Sequence, residues 1–401
     1  METQEYLVAP AKHASNVKDG SQEVNIFYEG GAFYLSPWGG IQRYHACLIN
    51  HFPTQVLSTL LVPRRCGGQV EHPGCVVRKI RTSSPIKQIG GLWKSFRMEQ
   101  IARSADRLAE EADIEHWTYY HGLCSRKISK RKTPLFITVH DFIHEAYPSD
   151  DPDGSHRREK RRAIEAADGI ICVSEFTRRQ LIEHYPQAEA KSRVILHGNA
   201  MRGVQPEALP PELSRRPYAL YVGRRSGYKN FETLYSAWSR ISRDTDLALV
   251  VVGSPWSSSE RAQFSDLDQH KNLMVYSNAS DGLLSALYQN STCFVFPTKM
   301  EGFGLPALEA MECAAPLILG DTEALREVAR DVAHYFDPGD TEQLSELLRA
   351  AVRCDLPNQD RRIERGLQRA QDFSWERAAR QTLRFYEDIS DSLTLSRKAA
   401  A

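Results

Sequence analysis

Cys293-Phe-Val-Phe-Pro-Thr-Lys-Met-Glu301-Gly-Phe-Gly-Leu-Pro-Ala-Leu-Glu309 decides the fold. Its opening run, Cys293–Phe296, is wholly apolar, as a strand buried on both faces requires. A glycine pair then frees the backbone for close approach to a neighbour. Pro306 fits the first turn of a helix, where its missing N–H costs nothing. Strand, glycine loop and helix in this order form one unit of an α/β sheet. Glu301 falls in the loop and Glu309 about one turn into the helix.

Working outward, the same alternation fills the chain. Tyr218–Val222, Leu247–Val252, Leu273–Tyr276 and Pro316–Leu319 read as strands of one sheet, with a helix over Asn230–Ile241. Upstream, Val24–Tyr28, Leu57–Val62, Leu135–Val139 and Gly169–Val173 read as strands of another. Helices are expected over Ile41–Phe52, Arg157–Ala167 and Glu175–His184. The proline-rich stretch Met201–Pro217 separates the two sets as a linker. Arg64–Gly91 has no period and reads as a loop or insertion. The spacing predicts a last helix over Ser374–Ile389 with Trp375, Ala378, Ala379, Leu383 and Tyr386 on one face, which must be buried against another unit. The expected organisation is a disordered tail over 1–22, a first unit over 23–205, a second over 206–372, and a closing helix and tail over 373–401.

Two domains also suit 401 residues. Lysine plus arginine equals aspartate plus glutamate, 51 each, so no global charge draws the chain to nucleic acid. Two local runs are basic, Arg126–Lys132 and His156–Arg162. Such runs usually solvate a face, and they also suit an anionic membrane surface or a phosphorylated partner. The 8 cysteines include no CxxC pair and no zinc spacing, and several sit in apolar runs. They read as small buried hydrophobes in a reducing compartment. No apolar run approaches the roughly 18 residues of a membrane span, and the N-terminal stretch lacks a signal-peptide core.

Two segments could carry chemistry. The first is the opening stretch. A helix N-terminus has unpaired amides and a partial positive charge, and here Glu301 and Glu309 flank it. That combination suits a ligand with phosphates and many hydroxyls, such as a sugar nucleotide; it is also met in a plain surface corner. The second is Gly223-Arg224-Arg-Ser-Gly-Tyr-Lys229-Asn230. It follows a strand, so Arg224 and Lys229 stand at the carboxyl end of a parallel sheet, where such sheets bind ligands. They could grip a diphosphate, or simply form a basic surface turn. There is no GxGxxG and no Walker lysine. His140 and His144 sit in a loop-like run with no carboxylate placed beside them for a metal, and metal binding is not expected.

Together, Gly223-Arg224-x4-Lys229 and Glu301-Gly-Phe-Gly-x4-Glu309 resemble the retaining glycosyltransferases of family 4. Pro37-Trp-Gly-Gly-Ile-Gln-Arg-Tyr44 resembles that family's glycine loop after the first strand. Thr138-Val-His140-Asp141 resembles its first-domain histidine segment, and Cys172-Val-Ser174-Glu175 a later strand-to-helix turn. The Phe373-Ser-Trp375 helix resembles one that crosses back to the first domain. The similarity runs from about residue 22 to 390. It implies the GT-B fold, two Rossmann-like domains facing each other across a cleft.

The resemblance also implies roles. Arg224 and Lys229 would bind the donor diphosphate and steady the leaving group, and Glu309 would take the ribose hydroxyls. Glu301 would lie near the transferred sugar. The backbone of Phe303, Gly304 and Leu305 would contact the donor, Gly40 would let the first-domain loop approach the diphosphate, and His140 would meet the donor sugar near the reacting carbon. The expected activity is metal-independent and cofactor-free transfer of a sugar, with a nucleotide sugar as donor substrate and a glycan or lipid-linked glycan as acceptor. The His140–Pro148 run is similar to that of bacterial mannosyltransferases of surface polysaccharides such as lipopolysaccharide. GDP-mannose is therefore the first donor expected, with UDP- and dTDP-sugars as alternatives. The implied location is cytoplasmic, with peripheral contact at the inner membrane face. A sugar-nucleotide epimerase of the same fold, or a binding subunit without turnover, are the competing classes. The sequence departs from the family pattern mildly, at Leu325–Asp331, at Ala315-Pro316 and at Asn230.

Overall fold

The computed structural model describes residues 24–35, 39–63, 70–80, 105–120, 131–264 and 272–400. The 1–22 segment, Pro37 and Trp38 lie outside the described residues, as do most of Arg64–Gly91 and of Arg126–Lys132.

Two wholly parallel sheets organise the chain. The first contains β1 (Asn25–Tyr28), β2 (Leu57–Pro63), β3 (Cys75–Ile80), β4 (Ile114–Trp117), β5 (Leu135–Val139), β6 (Gly169–Cys172) and β7 (Ser192–Val194). Its order is β3-β2-β1-β4-β5-β6-β7. The second contains β8 (Tyr218–Val222), β9 (Ala248–Val252), β10 (Leu273–Tyr276), β11 (Cys293–Phe296), β12 (Leu317–Gly320) and β13 (His334–Phe336), in the order β10-β9-β8-β11-β12-β13. Both are doubly wound, Rossmann-like sheets. Strand order reverses between β1 and β4 in one and between β8 and β11 in the other, and a crevice opens at the carboxyl ends of such pairs. Phe294 stands opposite Leu220, so β8 and β11 end level with each other.

The central strands are buried on both faces, which is why they read as unbroken apolar runs: every residue of β5, β9 and β11 is buried. Four strands carry no such signal. In β4, Ile-Glu-His-Trp, the interior positions are polar but satisfied. Glu115 pairs with Arg131 and accepts from Trp117 Nε1 at 2.6 Å, and His116 bonds Thr138 and Tyr386. β7 and β13 are three-residue edge strands. β3 corrects part of the loop expected over Arg64–Gly91, because Cys75–Ile80 pairs along β2.

The last helix, Trp375–Ala400, returns to the first sheet. Trp375, Ala378, Ala379, Phe385 and Tyr386 join the core formed by Ile26, Tyr28, Tyr44 and Phe136. The predicted stripe is therefore buried where a helix of this pattern must be, and Leu383 packs at its edge. No helix among the described residues is long and apolar enough to cross a membrane. Cys172, Cys293 and Cys313 are buried, whereas Cys354 is exposed.

Candidate active site

The site begins where β8 ends. After Val222 the chain turns through Gly223, makes one 3-10 turn at Gly227–Lys229, and enters the Phe231–Ile241 helix. The two arginines of this turn have different fates. Arg225 is buried and held by Glu260 at 2.8 Å, by the carbonyls of Ser254 and Pro255, and by the ring of Trp256. Arg224 is exposed, and among the described residues its guanidinium donates only a long bond, 3.4 Å, to the Tyr228 hydroxyl. Arg225 is thus committed to structure and Arg224 is available to a ligand.

Lys229 and Glu301, 72 positions apart, meet at 2.7 Å, with side chains 14% and 10% exposed. The ammonium also lies 5.2 Å from the Tyr228 ring centre and 4.9 Å from that of Phe296. Burial alone would lower the Lys229 pKa, but the Glu301 carboxylate outweighs it and the net direction is upward. Lys229 therefore stays an ammonium at neutral pH, with further N–H groups to offer.

The loop after β11 is built on its two glycines. A side-chain carbon at Gly302 would stand 1.6 Å from the carbonyl oxygen of His140 in the first domain, so only glycine permits this approach. Gly304 has φ 103 and starts the Leu305–Glu312 helix, and a side-chain carbon there would strike Leu325 at 2.5 Å. Pro306 occupies the first turn of that helix, as its sequence predicts. The Phe303 ring is buried and stacks on His197, 4.6 Å between centres, leaving only its backbone for a ligand. Glu309 is 6% exposed, and its Oε2 accepts from the Tyr288 hydroxyl at 3.2 Å. Burial pushes the Glu309 pKa up, partly offset by Arg43.

The first domain closes the space from the other side. His140 follows β5, its Nε2 is buried, and that atom has no hydrogen-bond partner among the described residues. Burial brings its pKa down to about 4, so the ring is neutral at pH 7. Tyr44 meets it edge-on at 5.2 Å, with His197 behind at 6.3 Å. Asp141 is held low, against burial, by Lys160 and by the amide of Ile143. Gly40 begins the Gly40–Asn50 helix and faces Leu305, to which an added side-chain carbon would make an ordinary 3.9 Å contact. His144 stacks on His156 at 3.7 Å.

The structure thus places Arg224, Lys229, Glu301, Phe303, Gly304 and Leu305 beyond the carboxyl ends of β8 and β11, with His140 and Gly40 of the first domain against Gly302 and Leu305, and Glu309 one helical turn further in. It also shows residues that sequence reasoning missed. Ser174 caps the Glu175–His184 helix, and its hydroxyl donates to the Gly302 carbonyl at 2.6 Å; Thr177 donates to the same carbonyl at 3.0 Å. Glu327 of the second domain accepts from the amides of Glu175 and Phe176 at 2.8 and 2.9 Å, capping a helix of the first. Arg43 reaches from the first domain to Asp281 and Glu309. The Ser174-Glu175 segment was legible as a strand-to-helix turn, but its second-domain partners were not, because nothing local encodes a contact 128 residues away.

Of the basic run His156–Arg162, three residues are engaged inside the first domain, whereas Arg158, Arg161 and Arg162 are exposed. Lys160 is fully buried on Glu145 at 2.7 Å and on the Asp141 carbonyl, Arg157 bonds Asp151, and His156 bonds Tyr119. Arg131, from the other run, turns inward onto Glu115 and the Trp117 ring.

A model of glycosyl transferases group 1 matches residues 208–369, and a model of glycosyltransferase family 4 matches residues 38–198. O-antigen chain mannosyltransferase B of Escherichia coli is 28% identical over 310 residues, covering 74% of this chain and 80% of that protein. MMP alpha-(1->4)-mannosyltransferase of Mycolicibacterium hassiacum is 26% identical over 334 residues, covering 77% and 80%. Alpha-maltose-1-phosphate synthase of Mycolicibacterium smegmatis is 28% identical over 317 residues, covering 70% and 80%. Among solved structures, sucrose-phosphate synthase from Thermosynechococcus elongatus superposes with a TM-score of 0.75 at 19% identity, covering 92% of this chain and 100% of that one. Anabaena HepE, in complex with UDP and glucose, gives 0.67 at 16% identity, covering 90% and 99%. These structures bear on the fold alone.

Proposed function

We propose that this chain, which belongs to glycosyltransferase family 4 and has the GT-B fold, moves mannose from GDP-mannose to a hydroxyl of a glycan or lipid-linked glycan, with retention at the anomeric carbon and without a metal. Family membership and sugar transfer rest on the two family models, which together match residues 38–198 and 208–369. The mannose donor is supported by the relatives named as mannosyltransferases.

One observation carries the mechanistic reading. Arg224, Lys229 and the Gly304 helix start stand at the strand-order reversal of the second sheet, opposite His140, whose Nε2 has no hydrogen-bond partner among the described residues. Arg224 and the ammonium of Lys229 take the diphosphate, aided by the amides of the helix start. Glu309 accepts from the ribose hydroxyls. His140, neutral and desolvated, hydrogen-bonds the sugar beside its reacting carbon. The C1–O bond to the diphosphate breaks while Arg224 and Lys229 stabilise the negative charge that develops on the leaving oxygen. The acceptor oxygen bonds C1 on the face of departure, and its proton passes to that leaving oxygen. Glu301, engaged with Lys229, keeps the ammonium charged and aimed. Closure of the two domains excludes water that would hydrolyse the donor.

The test is turnover with GDP-mannose and a glycan acceptor preparation, following GDP release and the anomeric configuration of the product by NMR. An α-mannoside with stoichiometric GDP is expected. A β-product would overturn retention, and release of UDP or dTDP alone, from their sugars, would replace the donor. Conversion of the donor to an epimer without acceptor would move the chain to the isomerase class. Peripheral membrane contact is read from the basic stretches, of which Arg158, Arg161 and Arg162 are exposed; vesicles of anionic lipid should retain the protein at low salt and release it at high salt.

A further inference from the structure

Arg43 lies three residues into the helix that follows the first-domain glycine loop, yet its contacts belong to the second domain. Its Nη2 is 3.1 Å from Asp281 Oδ1, and its Nη1 is 3.9 Å from Glu309 Oε1. Glu309 is otherwise enclosed. Tyr288 donates to its other oxygen, and the remaining groups nearby are Cys47 on the Arg43 helix and Cys313 one turn on. Both thiols are pushed up to about 11 by burial and stay neutral near pH 7. Burial pushes the Tyr288 phenol well up, so it too is neutral. Among these groups the guanidinium of Arg43 supplies the positive charge.

We propose that Arg43 is a positioning residue of the donor site: reaching across from the first domain, it keeps the enclosed Glu309 a carboxylate, ready to accept from the ribose hydroxyls of a nucleoside diphosphate. The inference rests on the reading that Glu309 meets the ribose. It adds that this group is made ready by the opposite domain, so the nucleotide site is complete only when the domains are together. The tug on Glu309 has two signs. Burial and Asp281 raise its pKa, while Arg43 and the Tyr288 bond lower it. A carboxylate accepts from both ribose hydroxyls, whereas the protonated acid has given one oxygen to its own O–H. Affinity is therefore full above the Glu309 pKa and falls as pH drops through it. Removing Arg43 raises that pKa, and the fall moves to higher pH.

The experiment titrates GDP, and in parallel UDP, into the whole protein by calorimetry from pH 8.5 to 5.5. The proteins are wild type, Arg43→Met, Arg43→Lys and Asp281→Asn, each also in a Glu309→Gln background. The ratio of variant to wild-type affinity cancels the nucleotide's own phosphate ionisation. For Arg43→Met that ratio should worsen progressively as pH falls from 8.5 to 5.5, approaching about 10-fold for each unit that the Glu309 pKa rises once the pH lies below both values. Arg43→Lys should stay near wild type. Asp281→Asn, which removes the competing carboxylate, should shift the fall to lower pH, and it tests the idea even if Arg43→Met does not fold. In the Glu309→Gln background all ratios should be flat. Flat ratios in the Glu309 background would overturn the proposal. Glu309→Gln binding as tightly as wild type would instead overturn the ribose reading beneath it.

Discussion

At the scale of single residues, charged side chains that hold structure stand beside others left open to a ligand. Arg225 and Lys160 are conspicuous in the sequence and fully engaged inside the protein. Arg224 is one position from Arg225 and is open. Sequence reasoning placed Arg224 at a strand's carboxyl end, a rule about topology that covers Arg225 equally, and singled it out through the resemblance to the family's Gly-Arg-x4-Lys spacing. It chose Lys229 on the same ground, but could not foresee the ion pair with Glu301. Lys229→Ala is expected to weaken nucleoside-diphosphate binding by about 2 kcal/mol, about 30-fold, the size of a lost charge-assisted hydrogen bond. It should also lower the melting temperature somewhat, because Glu301 is left enclosed without its cation. Calorimetry and a melting curve on the same preparation check both.

At the scale of elements, the loop after β11 was the most legible part of the chain. Its apolar strand, glycines and proline each have a local physical meaning, and the structure uses each of them. Gly302 shows where local reading stops. Its glycine is demanded by a carbonyl of the other domain, not by its own backbone angles. Gly302→Ala is therefore expected to leave the second domain folded while pushing His140 away from the donor site by about 1 Å. A misplacement of that size costs about 100-fold in kcat/KM. Gly304→Ala should behave differently, since its φ of 103 and the Leu325 contact are internal to the second domain. It should lower the melting temperature, by about 1–3 kcal/mol of stability. Parallel kinetics and melting curves separate the two. The strands that escaped reading, β3, β4, β7 and β13, are short, at an edge, or carry polar residues satisfied by distant partners. Periodicity has nothing to report in such segments.

At the scale of the whole molecule, the two domains and the returning helix meet at a set of histidines: His45, His116 and His197, which are buried, and His140, which is half-buried with its Nε2 enclosed. Burial drives all four downward, His116 to about 3 and His140 to about 4, and repulsion from neighbouring histidines adds to the effect at His45, His116 and His197. The sign follows from linkage. In the unfolded chain these rings take up protons as pH falls through about 6.5, but in the folded chain they do not, so their contribution is present above about pH 6.5 and is lost toward pH 4. Each contributes a slope of about 1.4 kcal/mol per pH unit within that window. The melting temperature should thus fall steeply from pH 6.5 to 4.5, and His197→Phe should make that fall shallower. An unchanged profile in His197→Phe would show that this ring takes no part. The gross architecture was visible in the chain because parallel sheets print their strands as apolar runs. The meeting of the two domains was not, because the contacts that Ser174, Glu327 and Arg43 make there are with residues of the opposite domain.

The central claim is that Arg224, Lys229 and Glu309 form one nucleotide site at the carboxyl ends of β8 and β11. A calorimetric titration of GDP and UDP into wild type, Arg224→Ala and Lys229→Ala tests it most directly. The account predicts that one of the two nucleotides binds wild type with a 1:1 stoichiometry, and that each substitution weakens it by at least about 10-fold, as loss of a charged contact to phosphate should. Equal affinity in all three proteins would put the diphosphate elsewhere and contradict the account.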